Sequence, residues 1–145
     1  MTMKQRNQRG FTLIEIMVVM VILGLLVAVV APNIMGRSDQ AKVTIAKTQM
    51  SNIANALDLY RLDNGHYPST QQGLEALVNR PTGSPEPNNW NPDGYLKSVP
   101  EDPWNNQYQY MSLSSSNYEL YSYGADGTEG GEGDAADISV HDIEQ

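Results

Sequence analysis

Seven carboxylates crowd the end of the chain, in YGADGTEGGEGDAADISVHDIEQ: Asp126, Glu129, Glu132, Asp134, Asp137, Asp142 and Glu144, with no Lys or Arg among them. Acids without basic partners either stay in water and repel one another or share a cation. Composition alone reads as a solvated acidic tail. The five glycines from Gly124 to Gly133 favour a bound ion, because glycine backbone folds tightly enough to turn carbonyls and carboxylates inward. Many hard oxygen donors suit Ca²⁺, whereas Zn²⁺ wants Cys or His and only His141 is near. An EF-hand does not fit. With Asp126 as its first position, Gly131, Asp134 and Asp137 match positions 6, 9 and 12, but Thr128 and Gly130 stand where acids belong.

Glu15 is the other carboxylate in a telling place, inside RGFTLIEIMVVMVILGLLVAVV. Residues 11–35 are apolar apart from Thr12, Glu15, Gly24, Pro32 and Asn33, and at ideal helical rise they span about 37 Å against a hydrocarbon core of about 30 Å. A carboxylate at the centre of such a span costs about 2.5–3.5 kcal/mol, and less near its end. Glu15 therefore either snorkels to the headgroups or meets a cation. Lys4, Arg6 and Arg9, with no acid before them, keep the N-terminal end in the cytoplasm. The following VVAPNIMG is a poor signal-peptidase site, so this reads as a retained anchor.

These groups must be positioned by one stem and one small head. Ala46, Met50, Ile53, Leu57 and Tyr60 form a helical stripe, and Asp63-Asn64-Gly65 supplies a stop that ends the helix near Leu62. Residues 12–62 would make a rod of roughly 75 Å at ideal rise. Pro32 predicts a kink or local melting. In the head, Ser69 or Thr70 caps a short helix through Val78, and RPTGSPEPNNWNPDG reads as a surface loop that Trp90 anchors to the head or offers to a partner. Gln107–Leu113 and Tyr118–Tyr123 alternate as strands around a turn at Ser114–Asn117. Glu101 and Asp102 read as turn acids.

The cluster G-F-T-L-I-E after a short basic leader resembles the class III signal of type IV pilins and pseudopilins. YRLDNGHYPSTQQGLEAL, EDPW and GADG, in that order, narrow the likeness to the major pseudopilin family of the type II secretion system. The resemblance implies a type IV pilin-like α+β fold: leader 1–10, long helix 11–63 with a transmembrane and assembly part at 11–35, and a periplasmic head 64–145 with a calcium loop at 123–138. It implies that a prepilin peptidase cuts between Gly10 and Phe11 and methylates Phe11. The freed amine could then pair with Glu15, either within one helix or between staggered neighbours, the latter in the assembled state. Phe11, Glu15 and Pro32 are the implied assembly residues. The resemblance also implies calcium held by the Asp126 and Asp137 side chains and the Tyr123 and Thr128 backbone oxygens, with Asp134 as a further carboxylate.

By the same likeness the chain anchors once in the bacterial inner membrane and polymerises with itself into a periplasmic pseudopilus that exports folded proteins. Minor pseudopilins and an inner-membrane assembly platform are the implied partners. A type IV pilin for adhesion or motility is the alternative, but pilins usually close their C-terminal region with a disulfide and this chain has no Cys. A net charge of −8 with scattered basic residues excludes nucleic acid as a partner. With two His, no Cys and no phosphate-cradling G-x-x-x-x-G-K, no catalytic assembly is legible and the chain reads as a structural subunit, not an enzyme.

Overall fold

Helix α1, Leu13–Asn64, precedes a three-stranded antiparallel sheet in the order β1-β2-β3, formed by Gln109–Ser114, Asn117–Ser122 and Ile138–Ser139. The computed structural model describes residues 10–143, with the side chains of residues 30–37 and 134 outside the description. The chain divides into two units between Ser38 and Asp39.

In the N-terminal unit Thr12 starts α1. Its hydroxyl accepts the Glu15 N–H at 3.3 Å and its carbonyl accepts the Ile16 N–H at 3.3 Å, so it serves as an N-cap. Glu15 sits in the first turn, where the helix dipole favours a negative charge. From Phe11 to Val29 every large apolar side chain is at least 50% exposed. A helix that is apolar on all sides has no face suited to water. Among the described residues no helix is long and apolar enough to cross a membrane, and the side chains described in this stretch stop at Val29. At Pro32, where a kink or melting is expected, the helix assignment is continuous, while the Pro32 side chain lies outside the described residues.

The C-terminal unit is organised by the other end of α1. Ala46, Met50, Ile53, Leu57 and Tyr60 have no exposed surface and pack with Leu74, Leu77, Tyr108, Leu120, Ile138 and Val140 in one core. Helical spacing puts these stripe residues on one face, and the sheet and the 70s segment cover it. The helix runs two residues past Leu62. Asn64 donates to the Tyr60 carbonyl at 2.9 Å, and Gly65, at φ 82°, donates to the Arg61 carbonyl at 2.7 Å in the left-handed stop that glycine permits.

The predicted short helix is instead a capped turn followed by a 3-10 turn. Ser69 and Gln72 bond reciprocally, each backbone N–H to the other's side-chain oxygen at 2.9 and 3.2 Å. Gly73, at φ 60°, then turns the chain before the 3-10 segment Leu74–Leu77. Trp90 anchors its loop, donating from Nε1 to the Ala76 carbonyl at 2.9 Å. The hairpin strands are shifted from the predicted bounds: β1 begins at Gln109 because Gln107 forms an isolated bridge with Glu101. β3 has no counterpart in the sequence reading, for two residues are too few to show alternation.

Tyr60 is buried and its hydroxyl has no hydrogen-bond partner. Burial, reinforced by Tyr95, pushes its phenol up from 10.0 to about 12. Above pH 10 the unfolded phenol ionises while the folded one keeps its proton, so this contribution to stability is full below pH 10 and is lost as pH rises towards 12. Tyr60→Phe removes only a hydroxyl that bonds nothing, so its melting temperature at pH 7 equals or exceeds that of the parent, and its alkaline loss of stability between pH 10 and 12 is shallower. Thermal unfolding at pH 7 and pH 11 checks both; a fall of several degrees at pH 7 would contradict the assignment.

Candidate functional site

The acidic loop is closed at its base by β2 and β3, which pair Ser122 with Ile138 and Tyr121 with Ser139. The chain between must double back over a short distance, and it does so through 3-10 turns at Gly124–Asp126 and Gly133–Ala135. Tyr123 leads into the first turn; Gly127, at φ 66°, leads out of it to Thr128. The Thr128 N–H donates to Asp126 Oδ1 at 3.0 Å, and the Gly130 N–H donates to Asp137 Oδ2 at 2.9 Å. Each acid is thus pinned by one oxygen.

The second oxygens are what matter for a cation. Asp137 Oδ1 is buried and has no partner. An unsatisfied buried oxygen of a charged group costs upward of about 1–3 kcal/mol, which a cation would remove. Asp126 Oδ2 points towards Gly131, where a Cβ would come within 3.2 Å of it and would collide with the Ala135 carbonyl. A Cβ on Gly124 would stand 2.8 Å from the Ala136 carbonyl and 3.3 Å from that of Ala135. Gly131 and Gly124 therefore keep open a cradle edged by carboxylate and main-chain oxygens. This donor set fits Ca²⁺ and lacks the nitrogen or sulfur that Zn²⁺ prefers.

Carboxylates alone do not complete it. Among the described residues no three acidic or histidine side chains gather closely enough to hold a metal, and the Asp134 side chain lies outside them. Main-chain oxygens are then needed. The Ala135 carbonyl edges the cradle, a placement the sequence could not signal, since every residue carries such an oxygen. Glu129 and Glu132 are exposed.

In the N-terminal unit, Phe11 and Glu15 line one shallow groove with Ile16, Val19, Met20 and Leu23. They are four residues apart, Phe11 before the N-cap Thr12 and Glu15 in the first turn of α1. Gly10 and Phe11 are both exposed, so the bond between them is accessible.

A helix that is apolar at one end and carries a small antiparallel sheet packed on its stripe at the other defines a pilin-like α+β fold. The chain belongs to the family described as type II secretion system (T2SS), protein G, whose pattern matches residues 33–141. The prokaryotic N-terminal methylation motif matches residues 5–31. The type II secretion system core protein G of Pseudomonas aeruginosa is 62% identical over 97% of this chain and 99% of its own length, and that of Vibrio cholerae is 51% identical over 97% of each. The crystal structure of the major pseudopilin from the type 2 secretion system of enterohaemorrhagic Escherichia coli matches with a TM-score of 0.65 and 41% identity, covering 74% of this chain and 93% of that one. This is a pseudopilin and not an enzyme, and the adhesion or motility pilin is not favoured.

The glycine cradle makes a sharp comparison possible. Gly130 (φ 101°) and Gly131 (φ 89°) both demand a left-handed backbone, but a Cβ on Gly130 meets open space. Gly130→Ala costs only the backbone strain of about 1–3 kcal/mol, while Gly131→Ala adds the collision with Ala135 and lowers the melting temperature by several degrees more. Equal shifts in differential scanning calorimetry would contradict the loop's packing.

Proposed function

We propose that this chain is the major structural subunit of the type II secretion pseudopilus, matured by a prepilin peptidase that cuts between Gly10 and Phe11 and methylates Phe11. Residues 11–35 hold it as a single span in the bacterial inner membrane, N-terminus cytoplasmic and head periplasmic. On an inner-membrane assembly platform, copies then exchange lipid for one another and stack into a periplasmic filament with minor pseudopilins, driving folded proteins across the outer membrane.

The observation that carries this reading is the unbroken exposed apolar surface from Phe11 to Val29 with one acid, Glu15, set in it. Apolar side chains on every side suit lipid before assembly and neighbouring helices after it. A buried carboxylate needs a partner, and a new α-amine at Phe11 supplies one with opposite charge. Paired between neighbours, the two charges neutralise each other and fix the axial stagger. Glu15→Ala is expected to leave the protein in the membrane but abolish filaments and secretion. Cross-linking of copies and assay of exported protein check this; normal assembly of the variant would refute the pairing.

The same proposal places calcium in the loop 123–138, held by Asp126 and Asp137 with the Tyr123 and Thr128 backbone oxygens, and with Asp134 as a further carboxylate. The support is the buried, unpaired Asp137 Oδ1 beside glycines that keep a cradle open. The ion supplies positive charge that lets the acids approach, and closes the loop where a disulfide is absent. At an ion concentration 100 times the dissociation constant it stabilises the folded head by about 2.7 kcal/mol. Chelation therefore lowers the melting temperature by several degrees, and Asp137→Ala reproduces the chelated value and abolishes the response to calcium. An unchanged melting temperature on chelation would remove the ion from the proposal.

A further inference from the structure

We infer that Asp102, far from the acidic loop in sequence and not itself a ligand, is the positioning residue that sets the loop for its cation, acting through Ser122 and Asn106 on Gly124; this rests on the calcium reading above. Asp102 is only 3% exposed. Its Oδ1 accepts the N–H groups of Trp104 and Asn106 at 3.0 and 2.8 Å, and its Oδ2 accepts the Ser122 hydroxyl at 2.6 Å. The Asp102 N–H also donates to the Asn106 carbonyl at 2.9 Å. Three donors converge on one buried carboxylate.

Two arms run from it to one glycine. Ser122 is fully buried at the end of β2, and because its proton is committed to Asp102, its lone pairs face the Gly124 N–H, which donates to it at 3.1 Å. Asn106, its backbone fixed by Asp102, donates from Nδ2 to the Gly124 carbonyl at 3.3 Å. The Asn106 side chain also lies against Gly127, where a Cβ would come within 3.1 Å of Oδ1. Gly124 is thus gripped at both its N–H and its C=O, and its other side presses on the Ala135 and Ala136 carbonyls. Both chain passes of the cradle trace back to this one residue: the Gly124–Asp126 turn through Ser122 and Asn106, the Ala135–Ala136 segment through its contact with Gly124.

An amide in place of the carboxylate keeps the shape and breaks the polarity. If its oxygen faces the two N–H groups, its NH₂ faces Ser122, whose own proton then loses its acceptor; in the opposite orientation, donor faces donor. Residues that orient ligands without touching the metal typically change affinity about 10- to 100-fold.

The test uses the full chain in detergent micelles, titrated with calcium alone by calorimetry, together with amide hydrogen exchange in chelator. Asp102→Asn and Ser122→Ala are each expected to weaken calcium binding about tenfold or more, the double variant being no weaker than the poorer single one. In chelator, both are expected to speed exchange across residues 124–137 while the amides of Met50–Tyr60 exchange as before. Either variant binding within twofold of the parent, losses that multiply in the double variant, or loop exchange left unchanged would overturn the inference. If the parent binds no calcium, the calcium reading falls by itself, and the exchange measurement decides the Asp102 relay alone. If Asp102→Asn fails to fold, Ser122→Ala, which removes one hydroxyl, decides the relay by the same two measurements.

Discussion

The apolar stripe of α1 from Ala46 to Tyr60 is the surface on which the C-terminal unit is built. A sheet of three short strands, the last of only two residues, cannot hold itself together in water. Laid on the stripe it buries Leu120, Tyr108 and Ile138, and the 3-10 segment adds Leu74 and Leu77. Hydrogen bonds fix the register of this packing where apolar contact alone would let it slide: the Tyr108 hydroxyl donates to Gln49, and the Tyr110 hydroxyl to the Pro68 carbonyl at 2.7 Å. Burial pushes both phenols well above their ordinary range, so they remain protonated donors.

The N-terminal unit shows the opposite use of apolar residues. The stripe is satisfied within the chain, whereas the surface between Phe11 and Val29 is satisfied by nothing described in it. Such a surface is suited to lipid or to other helices. One long helix thus carries two kinds of surface: its amphipathic end organises the head, and its apolar end stays exposed among the described residues. Glu15 is the one acid set in this otherwise apolar surface.

The acidic loop carries the remaining problem of a small head without cysteine. Its ends are joined by the β2–β3 ladder, its glycines adopt turns closed to other residues, and its carboxylates each commit one oxygen to a backbone N–H. Asp102 and Ser122 extend this order to the sheet and to the EDPW segment, so the loop is held by residues from three stretches of chain.

The sequence by itself determined the elements with strong periodicity or strong chemistry. The stripe on α1, the Gly65 stop and the hairpin follow from local rules of spacing and backbone freedom, and the leader cluster with Glu15 carries its family in six residues; whether Trp90 anchored its loop or faced a partner was left to the tertiary structure. The segment after Ser69 does not continue as the helix its capping signal predicts, because one left-handed glycine, Gly73, overrides that signal. β3 and the Asp102 relay are invisible in the sequence for a different reason: a two-residue strand has no period, and Asp102, Ser122 and Asn106 are ordinary turn and strand residues until the fold brings them together. Which oxygens face the cradle was likewise left to tertiary structure, because the direction of a main-chain carbonyl depends on backbone angles that no residue type fixes alone.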